Sequence, residues 1–512
     1  MNLLQNSALI AAGVSTLTAC TAETATAKLA GTKPNILLIT ADDLNFDSLG
    51  IYGSKTPDIS PNLDRLAKSG VRFQNAHVAI AVCQPCRSTI MTGCYPHKSS
   101  GEGFNHINFR KDISVLPDLM RAAGYTTGIL GKGGHSTPKT ADCWDYYLDW
   151  VELGMGRNKE LYYQNCMKFI KNAKAAEKPF FFMVNSHDPH RPFYGNDPEK
   201  WYAKTDYPAL KPSRIYLPQE VEVPKFLEDL PDVRKEVAEY YSSVKRLDDT
   251  VGRVLDSLRD NNMLDNTVIF FMSDHGMALP YAKTNCYFNS TKTPLMISWP
   301  GKIKPEQVED DHFVSTIDYM PTFLELAGAK SPNYIDGRSI VPILEGKQQP
   351  ERDHVYTSFN STSAKKSFTM RAVLNKKYVY IFNPWSDGSR VFKNESQFGR
   401  TFKAMREAGK TDQAVQHRVT FFSKRTVEEF YDLQKDPQCR NNLIDNPEFK
   451  EEIKSFRKLM KEEMTKSGDR AAAVIDYYDN PEKLKAFMDE ELKICKEIGK
   501  KDKQSRPAKK KH

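Results

Sequence analysis

The chain has 512 residues, of which 40% are hydrophobic and 27% charged, so it can bury a large core in two or more domains and is not disordered as a whole. Its net charge of +8 comes partly from a lysine-rich run at 501–512, which predicts a solvated basic tail. Because basic residues are not interleaved with aromatic residues on other segments, a nucleic-acid-binding function is not expected. Nine scattered cysteines do not describe a disulfide framework.

At the N-terminus, residues 1–30 predict a leader that lies outside the fold. An apolar stretch at 8–14 is followed by Leu17-Thr18-Ala19-Cys20, which resembles a bacterial lipobox and would make Cys20 the lipid-anchored residue. No Lys or Arg precedes the apolar stretch, so a plain cleaved signal peptide stays an open alternative. Either interpretation predicts export, to the bacterial periplasm or to the cell surface as a lipoprotein. No later segment has the roughly 18 uncharged apolar residues of a membrane span.

Short apolar runs then alternate with segments of helical period, a pattern typical of an α/β fold. The strands are predicted at 35–40, 71–78, 126–130, 180–185, 267–272 and 295–299. The helices are predicted at 62–69, 114–123, 161–174 and 237–258. The nearly continuous apolar strands indicate burial on both faces of a large, mainly parallel sheet sandwiched by helices.

The pattern of apolar and polar residues changes after about residue 346. Alternating segments at 354–359, 368–374, 378–383 and 428–433 predict a small antiparallel sheet, and helical segments follow at 447–466 and 481–500. We therefore predict a catalytic domain at 31–350, a smaller C-terminal subdomain of antiparallel sheet and helices at 351–500, and the basic tail at 501–512. The loop-rich stretch 188–231 is expected to carry substrate contacts or a lid.

Acidic residues follow two of the predicted strands directly. Asp42-Asp43 comes after the first strand, and Asp274-His275 after the strand at 267–272. Carboxyl ends of parallel strands meet at one sheet edge, where open α/β proteins build their sites. Three converging carboxylates would repel one another unless a cation lay between them. An oxygen-rich set favours Ca²⁺, with Mg²⁺ as the runner-up.

The segment Val82–Gly93 carries the most specific motif, Cys-x-Pro-x-Arg at Cys83, Pro85 and Arg87. It resembles the signature of the type I sulfatases, enzymes of the alkaline phosphatase superfamily. The resemblance implies that a maturation enzyme oxidises Cys83 to formylglycine, whose aldehyde hydrate supplies the nucleophile and shares the cation with the carboxylates. It also implies that Arg87, one helical turn after Cys83, orients the nucleophile and neutralises negative charge in the site. A buried cysteine in a loop before a helix is the structural alternative.

Further segments resemble the sulfate-binding residues of that family. Lys132 ends the strand segment Gly128–Lys132, as in the family, but His135 stands three residues beyond the lysine where the family has two. His187 opens a segment similar to the family's His-x-Pro-His motif, which implies a general acid at the leaving group. Lys283 resembles the cation that completes the sulfate cradle. Each of these side chains has an ordinary structural alternative, in a turn or an exposed loop.

Within the family, three stretches resemble the heparan N-sulfatases, or sulfamidases, which remove the N-sulfate of glucosamine. The stretches are 187–191, 274–285 and 431–443. His275 and Lys283 stand where sulfamidases carry Asn and Arg. The resemblance implies a sulfated saccharide substrate such as a heparan sulfate or heparin fragment. Three alternatives stay open: an O-sulfatase acting on another glycan, a phosphate or phosphonate ester hydrolase, and a non-enzymatic glycan-binding lipoprotein.

Overall fold

The computed structural model describes residues 28–102, 109–138, 142–195, 210–362 and 366–504. The predicted leader with Cys20 (apart from its last residues), most of the basic tail (505–512) and part of the predicted 188–231 loop lie outside these residues. In the described part of the chain, no helix combines the length and apolar character that a membrane crossing requires.

An eight-stranded sheet forms the centre of the molecule, with strand order β5-β4-β6-β1-β7-β8-β2-β9. The strands outside the C-terminal region are β1 (Asn35–Asp42), β2 (Val71–Phe73), β3 (Ala76–His77), β4 (Thr126–Leu130), β5 (Tyr146–Leu148), β6 (Phe180–Pro189), β7 (Thr267–Ser273), β8 (Leu295–Ser298), β9 (Gln307–Glu309) and β10 (Val314–Ser315). All neighbouring pairs are parallel except those made by β8. The prediction of a mainly parallel sheet is confirmed.

Helices cover this sheet and continue into the C-terminal region. They are α1 (Pro61–Lys68), α2 (Cys83–Thr92), α3 (Pro96–Ser99), α4 (Leu116–Ala122), α5 (Gly133–Ser136), α6 (Lys159–Ala175), α7 (Pro231–Asp260), α8 (Phe288–Thr291), α9 (Tyr319–Leu326), α10 (Val341–Leu344), α11 (Arg400–Ala408), α12 (Gln413–Lys424), α13 (Lys450–Ser467) and α14 (Pro481–Gln504). Every residue of β1 and β7 is buried, as expected for central strands that helices cover on both faces.

A second sheet lies in the C-terminal region and is antiparallel throughout, as predicted. Its strands, in order, are β11 (His354–Ser361), β12 (Ser367–Asn375), β13 (Tyr378–Phe382) and β14 (Glu428–Asp432). It begins four residues after the predicted domain boundary at 350, which stays a prediction. The single strand predicted at 71–78 is wrong: β2 joins the main sheet, whereas β3 pairs with β10 in a separate two-stranded sheet.

The register of the central strands decides which residues meet at the carboxyl edge of the main sheet. β1 lies between β6 and β7, and Thr40 is level with Asn185 on one side and Met272 on the other. The polar residues that follow these three strands therefore emerge side by side.

Candidate active site

Two of the predicted acidic segments meet at this edge. Ala41 pairs with Ser273, so Asp42 and Asp274 leave adjacent strands at the same level. The backbone N–H of Asp43 donates to Asp274 Oδ1 at 3.2 Å. Asp43 has a left-handed backbone (φ 69°), which turns the chain sharply as it leaves β1. All three carboxylates are buried.

Cys83 is the first residue of α2 and lies against this acidic edge. Its Sγ donates to Asp42 Oδ1 at 3.3 Å, and His275 Nε2 lies 3.3 Å from the same sulfur. Burial raises the pKa of the Cys83 thiol well above its usual value, and neighbouring Asp42 raises it further. The unmodified side chain is therefore a protonated thiol, which is a poor nucleophile.

Arg87, one turn further along α2, is fully buried and joins three strand ends. Its NH1 donates to Thr40 Oγ1 at 2.8 Å and to Asn185 Oδ1 at 2.7 Å, and its NH2 donates to Asp274 Oδ2 at 2.9 Å. Sequence reasoning missed Thr40 and Asn185. A usable signal was present, because each is the polar last residue of a strand predicted from the sequence.

Two lysines approach the carboxylates from outside the sheet. Lys132 forms an ion pair with Asp42 Oδ2. Lys283 Nζ lies 2.9 Å from Asp43 Oδ1 and 3.0 Å from Glu395 Oε2. Both lysines are buried, so the site presents cationic groups in surroundings where charge pairs are stronger than in water.

The pKa values of the adjacent residues Asp42 and Asp43 shift in opposite directions. Burial alone would raise the pKa of Asp42, but its cationic neighbours, led by Lys132, hold it well below its usual value. Burial raises the pKa of Asp43 to about 7 in spite of the attraction of Lys283.

The predicted histidines also lie at this site. Burial, with Lys132 nearby, lowers the pKa of His187 well below its usual value and that of His135 to about 3, so both imidazoles are neutral in the resting protein. Among the described residues, neither His187 Nδ1 nor His135 Nδ1 has a hydrogen-bond partner. The His187 ring lies 5.5 Å from the Trp150 ring, which packs beside it.

His190 is a residue to which sequence reasoning gave no role, although it stands in the motif that His187 opens. Its Nε2 lies 3.9 Å from Asp43 Oδ2 and 3.7 Å from Glu395 Oε1. Burial, together with the nearby Lys283, lowers the pKa of His190 to about 4.

The buried acidic edge fits a divalent cation. Two groups of side chains, Asp42 with Asp43, Cys83 and His190, and Asp42 with Cys83, Asp274 and His275, each place one ligand atom per residue within 4.8 Å of the others. Asp42 Oδ2 is paired here with Lys132 and Asp43 Oδ1 with Lys283, so an ion bound between the carboxylates would share these oxygens with the two lysines. An oxygen-rich set of this kind suits a hard cation such as Ca²⁺ or Mg²⁺. All five residues predicted as ligands therefore lie together.

A turn from the C-terminal region closes one side of the site. Glu395–Gln397 forms a single 3₁₀ turn, and Asn394 Nδ2 donates to the hydroxyl of Thr284, next to Lys283. Burial would raise the pKa of Glu395, but Lys283 and His190 lower it to about 2. No feature of the sequence predicted that Glu395 would reach the site.

Hydrogen bonds with two residues of the C-terminal region, Arg425 and Glu429, hold the loop that carries Lys283. Arg425 NH2 donates to Asn285 Oδ1 at 2.7 Å, and its guanidinium also bonds to the hydroxyl of Tyr287. That hydroxyl donates to Glu429 Oε2 at 2.8 Å.

Comparisons with known proteins agree with this geometry. Residues 34–329 match the family model "Sulfatase", and residues 274–387 match "N-sulphoglucosamine sulphohydrolase, C-terminal". The chain is 30% identical over 449 residues to human N-sulphoglucosamine sulphohydrolase, covering 83% of this chain and 88% of that protein. It is also 30% identical over 451 residues to an ulvan-active sulfatase of Formosa agariphila, covering 85% and 81%.

A solved structure shows the same fold. It is a complex of a protein with its substrate D-glucosamine-2-N,6-O-disulfate, and it superposes with a TM-score of 0.62 at 19% identity, covering 86% of this chain and 99% of that one.

Proposed function

This chain belongs to the sulfatase family, and we propose that it hydrolyses the N-sulfate of glucosamine in a sulfated saccharide such as a heparan sulfate or heparin fragment. Membership makes it a hydrolase of sulfuric esters or sulfamates. The prediction of an enzyme is thereby confirmed over that of a non-enzymatic glycan-binding lipoprotein.

The observation that carries the proposal is the meeting of Cys83 with three carboxylates and three cations. Cys83 contacts Asp42 and His275, while Arg87, Lys132 and Lys283 surround the same carboxylates. Because the thiol itself is protonated and buried, its conversion to formylglycine would give the site the nucleophile that the thiol does not provide. That group, when present, supplies the oxygen of an aldehyde hydrate as the nucleophile.

The acidic edge would hold the cation through Asp42, Asp43, Asp274, His275 and the modified Cys83. Bound there, a Ca²⁺ ion would supply Lewis-acid polarisation of a sulfate oxygen. The proposal favours Ca²⁺ over Mg²⁺ because this mixed, crowded set of donors suits a cation with flexible coordination.

The remaining residues would orient the substrate and move a proton. Lys132 and Lys283 would bind the sulfate oxygens as charge-assisted donors, and Arg87 would fix the nucleophile through its rigid fork. His187 would protonate the departing nitrogen, and its Nδ1, which has no hydrogen-bond partner among the described residues, would take up a proton when the anion arrives. His135 is proposed as a further sulfate contact.

Support for an N-sulfate comes from the match to human N-sulphoglucosamine sulphohydrolase and to the C-terminal family model of that enzyme. The second candidate is an O-sulfatase that acts on another sulfated glycan. The ulvan-active sulfatase, 30% identical over a similar length, favours it.

A substrate panel tests the choice. The chain would be co-expressed with a formylglycine-generating enzyme, and sulfate release would be measured from N-sulfoglucosamine and from 2-O-, 3-O- and 6-O-sulfated sugars. We expect release from the N-sulfated sugar, none from the Cys83→Ala control, and a Cys83 peptide with the mass of the aldehyde. Release from O-sulfated sugars alone would establish the second candidate.

We also propose that the protein is exported and anchored through Cys20, on the strength of the apolar stretch and lipobox-like residues. Labelling of the wild type with a palmitate analogue, and its loss in Cys20→Ser, would support the anchor. Release of an unlabelled wild-type protein would support a cleaved signal peptide.

A further inference from the structure

We propose that Glu395 is a specificity residue that rejects substrates with a second anionic group on the ring position next to the scissile sulfate. The inference rests on the proposed function, since it concerns the saccharide that carries the sulfate. It assigns a role to a residue that the C-terminal family match, ending at 387, does not reach.

The first observation is where this carboxylate lies. Glu395 Oε2 is 3.0 Å from Lys283 Nζ, the lysine that also contacts Asp43 at 2.9 Å, so it borders the proposed sulfate position directly. It belongs to neither of the two groups of side chains that could hold a cation. Its charge is therefore not placed to bind the ion, and its partner is the lysine proposed to bind the sulfate.

The second observation is exposure. The side chain of Glu395 is 34% exposed, whereas those of Asp42, Asp43 and Asp274 are 0–1% exposed. Of these four carboxylates, Glu395 alone is accessible to solvent, the side from which a substrate arrives.

The third observation is that the turn is held in place. Ser396 Oγ donates to Asn394 Oδ1 at 2.8 Å, and Gln397 Nε2 donates to the carbonyl of Phe392 at 3.1 Å. Just beyond it, α11 is tied down because the backbone N–H of Thr401 donates to the buried Glu236 at 2.7 Å. These bonds hold the turn, and the pair with Lys283 holds the Glu395 carboxylate, so it does not swing aside to admit a competing anion.

The negative charge of Glu395 determines which substituents of the sugar ring it accepts. A carboxylate accepts hydrogen bonds from a hydroxyl or ammonium group, but it repels a sulfate placed opposite it. For an N-sulfate on C2 of glucosamine, the adjacent ring hydroxyl is on C3. Like charges placed opposite each other cost up to several kcal/mol, and with Lys283 offsetting part of this cost we expect the 3-hydroxyl sugar to be favoured over its 3-O-sulfated form by about 10- to 100-fold in kcat/KM.

The test compares the matured wild type with Glu395→Gln on N-sulfoglucosamine with and without a 3-O-sulfate. The matched control is Glu407→Gln, which removes an exposed carboxylate of α11 that pairs with Lys410. The substitution also removes the ion pair between Glu395 and Lys283. Because the loss of this pair affects the hydrolysis of both sugars, the ratio of their kcat/KM values isolates the selectivity. We expect the ratio to fall by about tenfold in Glu395→Gln and to be unchanged in Glu407→Gln.

An unchanged ratio in a folded Glu395→Gln protein would overturn the inference while leaving the proposed function in place. If the wild type hydrolyses only O-sulfated sugars, the N-sulfate proposal fails, and the same comparison is made on the hydrolysed sugar with and without a sulfate on its adjacent carbon. If Glu395→Gln loses the selectivity for that sugar, the role of Glu395 is supported. If Glu395→Gln keeps the selectivity, the role is contradicted. A wild type that hydrolyses none of the sugars overturns both proposals.

Discussion

Replacing Arg87 by Met tests whether one buried guanidinium holds the strand ends together. The substitution keeps a chain of similar length but removes the donors to Thr40, Asn185 and Asp274. Thr40 Oγ1 and Asn185 Oδ1 retain each other as partners at 2.7 Å, so they lose little. The cost falls on Asp274, which loses its 2.9 Å ion pair, and on Asp42, which keeps Lys132 but loses the attraction of Arg87.

The expected loss follows from that charge imbalance. Removing one partner of a buried ion pair costs about 3–5 kcal/mol. With an unfolding entropy of about 2.1 cal/mol/K per residue, a chain of 512 residues has roughly 1 kcal/mol/K in total, so the melting temperature should fall by about 3–5 °C. The half-buried Arg253, which pairs with the exposed Glu160 at 3.0 Å, provides a control, and Arg253→Met should lower the melting temperature by less than about 1 °C.

The assay is calorimetry of the metal-free proteins in a chelator, at pH 7 and at lower pH. The cations around Asp42 depress its folded pKa, so the stability it contributes is present above its unfolded pKa and is lost as the pH falls through the folded value. The difference between wild type and Arg87→Met should therefore shrink on acidification. A fall of under about 1 °C at pH 7, or a difference independent of pH, would refute the role given to Arg87.

Three further predictions concern the cation, the proton and the C-terminal region. Asp274→Asn should weaken Ca²⁺ binding at least about tenfold by calorimetric titration, and binding equal to the wild type would contradict its place among the ligands. His187→Gln should lower kcat about 10²- to 10⁴-fold on the sulfamate but much less on an aryl sulfate with a good leaving group, and equal losses on both would exclude proton donation. Although burial would raise its pKa, Arg371 holds the pKa of Asp469 well below its usual value, so the stability it gives is present at neutral pH and is lost on acidification. Asp469→Asn should lower the melting temperature by about 3–5 °C at pH 7 and by less at pH 3, and an equal loss at both pH values would contradict this.

The fold was predictable where periodicity was strong. The predicted strands at 35–40, 180–185 and 267–272 match β1, β6 and β7 to within four residues, because central strands are apolar on both faces. The long helix was predicted because its apolar residues repeat every three to four positions, although α7 begins six residues before its predicted start. Short edge strands such as β5 and β9 have three residues each, too few to show a period.

The site residues, too, were predictable only where they follow a regular element. Asp42, Asp43, Asp274 and His275 could be placed because each follows a buried strand directly, and the parallel arrangement brings those ends together. Glu395 could not be placed, because it stands in a single 3₁₀ turn that reaches the site only through tertiary contacts, such as the bond from the neighbouring Asn394 to Thr284.

The C-terminal turn that carries Glu395 also bears on how the enzyme comes into being. A ribosome has made both strands that bear the acidic residues once it passes residue 275, yet one wall of the cleft is still missing. Arg425 and Glu429, which anchor the Lys283 loop, emerge about 150 residues later. A nascent chain therefore makes its acidic residues first and the turn with Glu395 last, and a truncation before residue 395 would also leave the Lys283 loop without its anchors.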